Sequence, residues 1–230
     1  MTDETIIISH IDTPDVAWII EELDARGMPH RIVHTFGGET LPDDPQRVVV
    51  LGGPTSVYDE LDNPPFVAEM EWIRAAIDAG APTLGICLGS QILAHVLGGA
   101  AVPGTQGLEY GQTQVRRTDV EHPLSDAMDG TFFSFHSDTF EPPPGVDILA
   151  TSDRYPQAWS LGSALAVQFH PEISPDGIRD LIAREGPKLR AAGLDVDAML
   201  ADAEAAAPTS RAAAAALIGG WLDLPPSTHR

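Results

Sequence analysis

The sequence predicts an α/β fold, in which a doubly wound, mostly parallel sheet is flanked by helices and carries a small antiparallel β addition. Strand-like and helix-like segments alternate through the first hundred residues, which is typical of parallel βαβ units. The segment 48–51 is continuously apolar, as expected for a parallel strand covered on both faces. After Ala100 the segments become short, strand-like and separated by turns, which predicts the antiparallel addition.

Capping residues, prolines and glycines delimit the helices predicted in the first half of the chain. Thr13 is expected to cap the first helix, with Pro14 at its first position and Gly27 at its end. Asn63 is expected to cap the second helix, whose apolar residues recur at helical spacing until Gly80. The remaining predicted elements of this half are strands at 5–10, 31–35, 47–51 and 82–86, and a helix at 90–97.

The second half is predicted to contain short strands followed by helices. Gly162 and Ser163 are expected to form a hairpin turn. A helix should open at Ser174 and stop at Gly186, and the alanine-rich helix after it should break at Pro208 and restart after residue 210. The strands are predicted around 102 and at 112–117, 131–135, 147–151, 157–161 and 164–169.

Length and composition fit one α/β domain with peripheral additions. The chain has 230 residues, of which 43% are hydrophobic, enough for a sizeable core. We assign residues 1–190 to the main domain. Residues 191–230 are assigned to an alanine-rich C-terminal helical extension packed on that same domain.

The charge balance and the single cysteine limit which partners and which cellular location are expected. With 34 acidic and 13 basic residues, the net charge of −21 should repel nucleic acid and anionic membranes. No apolar run reaches the roughly 18–20 residues of a membrane span, and the acidic start is unlike a signal peptide. One cysteine cannot form an internal disulfide, which fits a reducing compartment. We therefore expect a cytoplasmic protein without nucleic-acid or membrane partners.

Cys87, the only cysteine, is the predicted nucleophile. Gly85, Cys87 and Gly89 have the spacing of a nucleophile elbow, a sharp strand-to-helix turn that lifts the reactive side chain out of the core. Unpaired N–H groups and the helix dipole at such a position favour the reactive thiolate. The backbone N–H of Leu88 is expected to point at the place where an oxyanion would form.

His170 and Glu172 are the predicted partners of this nucleophile. They follow an apolar strand, so they should stand at the same sheet edge as the elbow. An imidazole can hold the thiolate and protonate a leaving group, and a carboxylate can orient the ring. Gly52 and Gly53 follow the third strand, where their backbone can approach a ligand closely and supply a second oxyanion donor.

No metal or cofactor site is predicted from the residue pattern. Six histidines show no clustered ligand spacing with cysteine or carboxylates: His10, His30, His34, His95, His122 and His229. The chain has no G-x-x-x-x-G-K-[ST] phosphate loop, and Lys188 is its only lysine. Any ATP-driven step that uses a product of this site is therefore expected on another protein.

These motifs together resemble the class I (triad-type) glutamine amidotransferases. Their elbow, G-x-C-x-G-x-Q, is matched by residues 85–91 with Gln91 as its last residue. Their His-Pro-Glu motif is matched by residues 170–172, and their glycine loop by residues 52–54. The resemblance covers roughly residues 5 to 183 and is similar to stand-alone members related to the amidotransferase domain of GMP synthase. It implies a flavodoxin-like sheet.

The resemblance also implies the chemistry and the substrate contacts. Cys87 would attack the side-chain amide of L-glutamine, release ammonia and form a glutamyl thioester that water hydrolyses. Gly53 and Leu88 would donate N–H groups to the oxyanion, and Gln91 would lie along the substrate. The backbone at Ser137 and Asp138 would hold the α-amino and α-carboxylate groups, beside a Glu-x-Gly element at residues 109–111 that forms a pocket wall.

One departure from the family pattern and two alternatives accompany this interpretation. Ser90 stands where many relatives carry a larger residue, so the local pocket is expected to differ. The first alternative to ammonia delivery to a separate synthetase is a stand-alone hydrolase of another γ-glutamyl compound, a peptide or an amine. The second is a non-catalytic binding or regulatory subunit. Pocket size, expected to be set by the loops 54–63 and 103–112, separates the first alternative from glutamine hydrolysis.

Overall fold

The structure, a computed structural model, describes residues 4–224 of the chain. Residues 225–230 of the predicted extension, with His229, lie outside the described residues. The strands are β1 (Thr5–Ser9), β2 (His30–His34), β3 (Arg47–Val50), β4 (Thr83–Ile86), β5 (Ala100–Pro103), β6 (Glu109–Arg117), β7 (Gly130–His136), β8 (Asp138–Glu141), β9 (Ile148–Thr151), β10 (Pro156–Leu161) and β11 (Ala164–Val167). The α-helices are α1 (Ala17–Ala25), α2 (Pro64–Asp78), α3 (Leu88–Val96), α4 (Pro175–Ala191), α5 (Val196–Ala214) and α6 (Gly220–Leu222), with a π-helical segment at Ala215–Gly219 before α6.

A nine-stranded mixed sheet forms the centre of the molecule. Its order is β2-β1-β3-β4-β11-β10-β9-β6-β7, and β5 and β8 form a separate two-stranded antiparallel sheet. In this order, the five strands from β2 to β11 run parallel to one another. The pairings from β11 through β10, β9 and β6 to β7 are antiparallel. The predicted fold class is therefore confirmed. The carboxyl ends of β1, β3, β4 and β11 meet at one edge, where the predicted motifs lie.

The parallel strands are apolar on both faces because each face supports a different core. Ile7 and Val49 point into a core that includes residues of α1 and α6. Ile6, Ile8 and Val48 point to the opposite side, into a core that includes residues of α2 and α3. This alternation follows from the two-residue period of a strand and explains the continuous apolar runs in the sequence.

The first helix begins later than the sequence predicts. Thr13 does not cap it, because α1 starts at Ala17. Asp15 supplies the reason: one carboxylate oxygen accepts the Ala17 N–H at 3.2 Å, and the other accepts the backbone N–H of Ser174 at 2.7 Å. The segment before α1 is thereby tied to the start of α4. Pro14 consequently lies in a loop instead of a first helical turn.

The second helix has the predicted start, but the predicted side-chain cap is not formed. α2 begins at Pro64, yet the Asn63 side chain accepts no capping hydrogen bond. Its Nδ2 instead donates to Glu60 Oε2 at 2.6 Å, which anchors the preceding loop. The hairpin prediction is confirmed: β10 and β11 are joined by a two-residue turn in which Gly162 has a φ of 61°. β8, in contrast, was not predicted.

The predicted stop at Gly186 and the predicted break at Pro208 are both wrong. α4 continues to Ala191 and is followed by Gly193, whose φ is 83°. α5 runs through Pro208 to Ala214. The two helices pack on each other around a third apolar cluster that includes Leu189 and Met199. This packing offsets the hydrogen bond that a proline removes from a helix.

The C-terminal helices lie against the main sheet. α5 contacts β6 and β7, and the π-helical segment contacts α1. Trp221 is buried in the core that α1 also lines, and Arg26, the residue that follows α1, pairs with Asp223 at 2.8 Å. We propose, accordingly, that residues 191–224 belong to the same domain. Among the described residues, no helix has the length and apolar character needed to cross a membrane.

Candidate active site

Cys87 lies at the sharp turn between β4 and α3. Its φ is 53° and its ψ is −109°, and no other described non-glycine residue has a positive φ. Such a conformation costs on the order of 1–3 kcal/mol and persists only where the surroundings impose it. Here the Cys87 N–H donates to Val167 O at 2.9 Å, and its carbonyl accepts the Ser90 hydroxyl at 2.7 Å. The predicted elbow is thus present, with the thiol at the N-terminus of a helix.

Small residues permit this turn because α3 passes very close to β3. A Cβ atom added to Gly89 would lie 2.0 Å from Val50 O, and one added to Gly85 would lie 2.6 Å from Gly89 O. Real Cβ contacts do not reach such distances, so both positions require glycine in this packing. The two glycines of the motif therefore allow the close packing of β3, β4 and α3 that positions Cys87.

His170 follows β11 and is held by both its backbone and its ring. Its N–H donates to Phe133 O at 2.8 Å, which joins this loop to β7. Its Nδ1 lies 2.7 Å from Glu172 Oε1, so the carboxylate fixes the ring orientation. The Glu172 side chain is only 6% exposed and that of His170 13%, which keeps this pair largely away from solvent screening.

The charges around His170 favour its protonated form. Burial alone would lower the pKa of His170, because it disfavours a charged imidazole. The negative charges of Glu172 and of Cys87, together with hydrogen bonds to both, raise the pKa well above its ordinary value. The protonated form of His170 is therefore favoured beside Glu172 and Cys87.

The glycine loop after β3 packs directly on these groups. A Cβ added to Gly52 would lie 3.1 Å from His170 Cε1 and 3.4 Å from Cys87 Cβ. One added to Gly53 would lie 2.7 Å from Leu88 Cδ2. Side chains at these two positions would therefore crowd the histidine, the cysteine and the residue after the cysteine.

A buried His10–Glu69 pair supports the glycine loop, and the sequence did not reveal it. His10 Nε2 lies 2.9 Å from Glu69 Oε1, with side chains that are 0% and 1% exposed. His10 Nδ1 lies 3.3 Å from the carbonyl oxygen of Gly52. The only indication of this pair in the sequence was the position of His10 at the end of a buried strand. Its partner comes from a helix 59 residues away, which no local pattern indicates.

A cavity of about 180 Å³ lies on one side of Cys87. Its lining includes Gly53, Leu88, Gln91, Ser137 and Asp138. The Gln91 amide donates to the side-chain oxygen of Gln168 at 3.3 Å, which fixes its position beside the cysteine. The loops named as determinants of pocket size contribute residues 54–56 and 108 to this cavity.

The loop at residues 136–138 is anchored from two sides. His136 Nε2 lies 3.0 Å from Glu109 Oε2, and its Nδ1 lies 2.8 Å from the carbonyl oxygen of Asp138. The Asp138 carboxylate in turn accepts hydrogen bonds from the hydroxyls of Ser56 and Tyr58. The loop that the family resemblance assigns to substrate binding is therefore fixed to β6 and to the loop at residues 54–63.

Glu109 is a buried carboxylate at the centre of this support. Burial would raise its pKa, but hydrogen bonds from His136, Ser152 and Gln157 hold the pKa below the ordinary value. The Ser152 hydroxyl and the Gln157 amide both donate at 2.6 Å. Glu109 was predicted as a pocket wall. Its partners were not predicted, because they come from a turn and a strand more than 40 residues away.

A second, larger cavity of about 310 Å³ lies on the other side of Cys87. It is lined by Gly52, Gly53, Cys87, His170 and Glu172, by the loop before α1, and by α4. Every predicted site residue therefore lines at least one of the two cavities, which meet at the cysteine. The catalytic and binding roles assigned to these residues stay predictions. Within residues 4–224, no group of three His, Cys, Asp or Glu side chains is placed to hold a metal ion.

Comparisons with known proteins agree with this arrangement. The profile of the family described as Glutamine amidotransferase class-I matches residues 16–185. A GMP synthase [glutamine-hydrolyzing] from Thermomicrobium roseum is 36% identical over 144 residues, which are 61% of this chain and 26% of that protein. The chain thus spans about a quarter of the length of the curated relatives it matches.

Solved structures resemble the whole described chain. A glutamine amidotransferase from Thermotoga maritima has a TM-score of 0.88 at 26% identity, with 97% of this chain and 100% of that chain covered. A glutamine amido transferase from Methylobacillus flagellatus has a TM-score of 0.84 at 23% identity, with 99% and 96% covered. The second likeness is one of fold alone, given its identity.

Proposed function

Because the chain belongs to the class-I glutamine amidotransferase family, we propose that it hydrolyses the side-chain amide of L-glutamine through a thioester on Cys87 and delivers the ammonia to a separate acceptor enzyme. It is accordingly a cysteine-dependent enzyme of the family. The acceptor, the substrate and the individual residue roles are the parts that this proposal adds.

The first half-reaction forms the thioester. The Cys87 thiolate attacks the amide carbon of glutamine, and the negative charge moves to the carbonyl oxygen. The backbone N–H groups of Gly53 and Leu88 stabilise that oxyanion. His170 then donates its proton to the amide nitrogen, the C–N bond breaks, and ammonia leaves.

The second half-reaction returns the enzyme to its starting state. Water enters the position that ammonia has left, and the now neutral His170 accepts one of its protons. The resulting hydroxide attacks the thioester, and glutamate leaves as the thiolate of Cys87 forms again. Glu172 stabilises the imidazolium in both halves and keeps its ring directed at the sulfur.

One observation carries the proposal: a Cβ atom added to Gly52 would lie 3.1 Å from the His170 ring and 3.4 Å from Cys87 Cβ, so both side chains stand beside the same glycine. Nucleophile, base and an oxyanion-forming loop therefore belong to one small volume at the carboxyl edge of the sheet. The non-catalytic alternative is disfavoured because a purely structural role needs neither the strained backbone at residue 87 nor a paired histidine beside it.

We propose that the acceptor lies outside these 230 residues. The GMP synthase from Thermomicrobium roseum matches over 26% of its length. The 230 residues contain no phosphate loop, so we assign ATP-dependent use of the ammonia to a synthetase unit outside them.

Glutamate and ammonia release by the purified chain tests the proposal. Glutamine should be hydrolysed by the wild type, and Cys87→Ala should lower kcat by a factor on the order of 10⁴ or more. Urea unfolding of both proteins serves as the folding control. Glutamine turnover by Cys87→Ala at the wild-type rate would remove Cys87 from the mechanism.

A further inference from the structure

His10 and Glu69 form a buried ionisable pair that takes no part in the two half-reactions. Their side chains are 0% and 1% exposed, and the contact joins the residue after β1 to α2. Glu69 Oε2 is also buried, and it has no hydrogen-bond partner among the described residues. Replacing a buried ion pair with well-packed apolar residues is often neutral or stabilising. Packing alone therefore does not account for this pair.

The partners of His10 determine where its protons lie. Nδ1 lies 3.3 Å from the carbonyl oxygen of Gly52, which can only accept, so Nδ1 carries a proton and donates it. Nε2 lies 2.9 Å from Glu69 Oε1, and a second proton lies between them because two acceptors at this distance repel. Glu69 thereby selects the form of the ring that donates to the glycine loop. Phe36 and Phe66 pack against the ring at centroid distances of 5.3 and 6.3 Å and restrict its rotation.

The hydrogen bond to Gly52 O determines the direction of the next N–H group. Gly52 O and the Gly53 N–H belong to one trans peptide, in which the two groups point in opposite directions. Because the oxygen points to His10, the Gly53 N–H points away from it. Gly53 lines both cavities at Cys87, whereas His10 lines neither. This N–H is therefore directed to the side on which the cysteine lies.

A peptide between two glycines needs such an anchor. Glycine has no side chain to limit φ and ψ, so rotation of this peptide as a unit meets little steric resistance. A half-turn would exchange the N–H and the carbonyl oxygen, and the carbonyl dipole would then oppose an oxyanion at that place. The Gly53 N–H has no backbone acceptor within residues 4–224, so no backbone bond of its own opposes the rotation.

We propose that His10 and Glu69 are positioning residues of glutamine hydrolysis. Glu69 holds the His10 ring, the ring holds the Gly52 carbonyl oxygen, and the Gly53 N–H is thereby kept directed at the oxyanion. The pair acts on the transition state more than on bound glutamine, because the charge on the carbonyl oxygen develops only as the thiolate attacks. This inference rests on the proposed thioester mechanism, in which Gly53 is an oxyanion donor.

Two double variants isolate the hydrogen bond to Gly52 O. Both carry Glu69→Met, which removes the carboxylate and so leaves no unpaired buried charge. One adds His10→Leu and the other adds His10→Asn. The two new side chains have nearly the same size, but only asparagine has an amide nitrogen that can donate where Nδ1 lies.

The variant with His10→Leu should lower kcat for glutamine at least tenfold, with KM within threefold of the wild type. The loss of one oxyanion donor costs about 100- to 1,000-fold, and a misdirected donor loses part of this. The variant with His10→Asn should have a kcat at least fivefold higher than the one with His10→Leu. A variant with His10→Asn that is no faster would overturn the proposal, because packing alone gives asparagine no advantage over leucine.

Two reagents for Cys87 separate an effect on the oxyanion from an effect on the thiolate. The carbonyl carbon of L-glutamate γ-semialdehyde bonds to the sulfur and gives a tetrahedral hemithioacetal, whose oxygen occupies the oxyanion position. Iodoacetamide is attacked at its CH2 carbon and releases iodide, so no oxyanion forms. In the variant with His10→Leu, Ki for the semialdehyde should rise at least tenfold, and the alkylation rate constant should stay within threefold of the wild type. A parallel loss in alkylation would place the effect at the thiol and overturn the proposal.

Glu69→Gln keeps the shape of the pair and removes its charge. The amide can donate to His10 Nε2, so the Nδ1 proton stays in place and kcat should remain within threefold of the wild type. A tenfold loss would show that the carboxylate charge is what matters, and would overturn the proposal. Ile73→Val is the packing control, since Ile73 is buried one turn further along the same face of α2. It should change kcat less than twofold, and a loss equal to that of the variant with His10→Leu would attribute the effect to packing.

Urea unfolding shows whether each variant is folded. Failure of the underlying mechanism is recognised separately, because the wild type itself would then release no glutamate from glutamine. Failure of this inference leaves the wild type active and the variants at position 10 equal to each other.

Discussion

Replacing Gly89 with alanine tests whether close packing of α3 on β3 creates the elbow. The added Cβ would lie 2.0 Å from the carbonyl oxygen of Val50, where ordinary contact begins at 3.4 Å. Because Val50 O is a backbone atom of a central strand, no side-chain rotation relieves the clash. The helix and the strand have to separate by about the difference, roughly 1.4 Å.

Stability and activity should both fall in Gly89→Ala. Overpacking costs about 1–3 kcal/mol, and more where backbone has to move, so we expect a loss of about 3 kcal/mol in the free energy of unfolding. A misplacement of about 1 Å costs on the order of 100-fold in rate, so kcat for the preferred substrate should drop by at least that factor. Helix propensity alone predicts the opposite sign, a gain of about 1 kcal/mol.

Urea unfolding and steady-state kinetics measure these two effects, with Gly130→Ala as the matched control. A Cβ at Gly130 would be 3.8 Å from its nearest neighbour, which is ordinary contact, and the residue has no positive φ. We expect this variant to stay within about 0.5 kcal/mol of the wild type. The reasoning fails if Gly89→Ala is as stable and as active as Gly130→Ala.

Three further variants separate the roles around the cysteine. His170→Ala should slow thioester formation by about 10²–10⁴-fold in single-turnover experiments, and an unchanged rate would exclude it as the proton donor. Glu172→Gln removes a charge that raises the pKa of His170, so the alkaline limb of kcat/KM should move to lower pH; a limb that stays in place would contradict this. The same raised pKa stabilises the fold at pH values below the ordinary pKa of histidine, and this stability is lost as the pH rises through the raised value. Glu172→Gln should therefore show a smaller loss across that window in pH-dependent urea unfolding. Glu109→Gln weakens the anchor of the loop at 136–138, so KM should rise by about tenfold with a smaller change in kcat, and a change confined to kcat would contradict a positioning role.

The sequence predicted the parallel half of the fold well because local patterns determine it. Continuous apolar runs indicate strands that are buried on both faces, and the two-residue period assigns alternate side chains to two cores. The elbow was equally visible, since the spacing of its two glycines and its cysteine lies within five residues. Gly85 and Gly89 each approach the backbone of a neighbouring element.

The helix boundaries that were missed depend on contacts between distant segments. Gly186 and Pro208 normally end helices, but the apolar cluster shared by α4 and α5 keeps both helices continuous. The local sequence around Thr13 is compatible with a helix cap at that residue. The start of α1 was instead determined by Asp15, which binds Ser174 from 159 residues away.

The same limit applies to the site. The site residues named from motifs all line one or both of the two cavities, because the motifs lie at the ends of adjacent parallel strands. The groups that hold them, such as Glu69 beside His10 and Gln157 beside Glu109, come from helices and strands far along the chain. The α4 wall of the larger cavity was likewise not predicted.

Covalent labelling with an electrophilic glutamine analogue tests most directly whether the Cys87 thiolate is the nucleophile of a γ-glutamyl site. Intact mass spectrometry and peptide mapping should find one adduct per chain, on Cys87, formed more slowly when glutamine is present. Cys87→Ala should take up no label under the same conditions. The absence of an adduct on Cys87 in a folded wild-type protein that still releases glutamate would contradict the account.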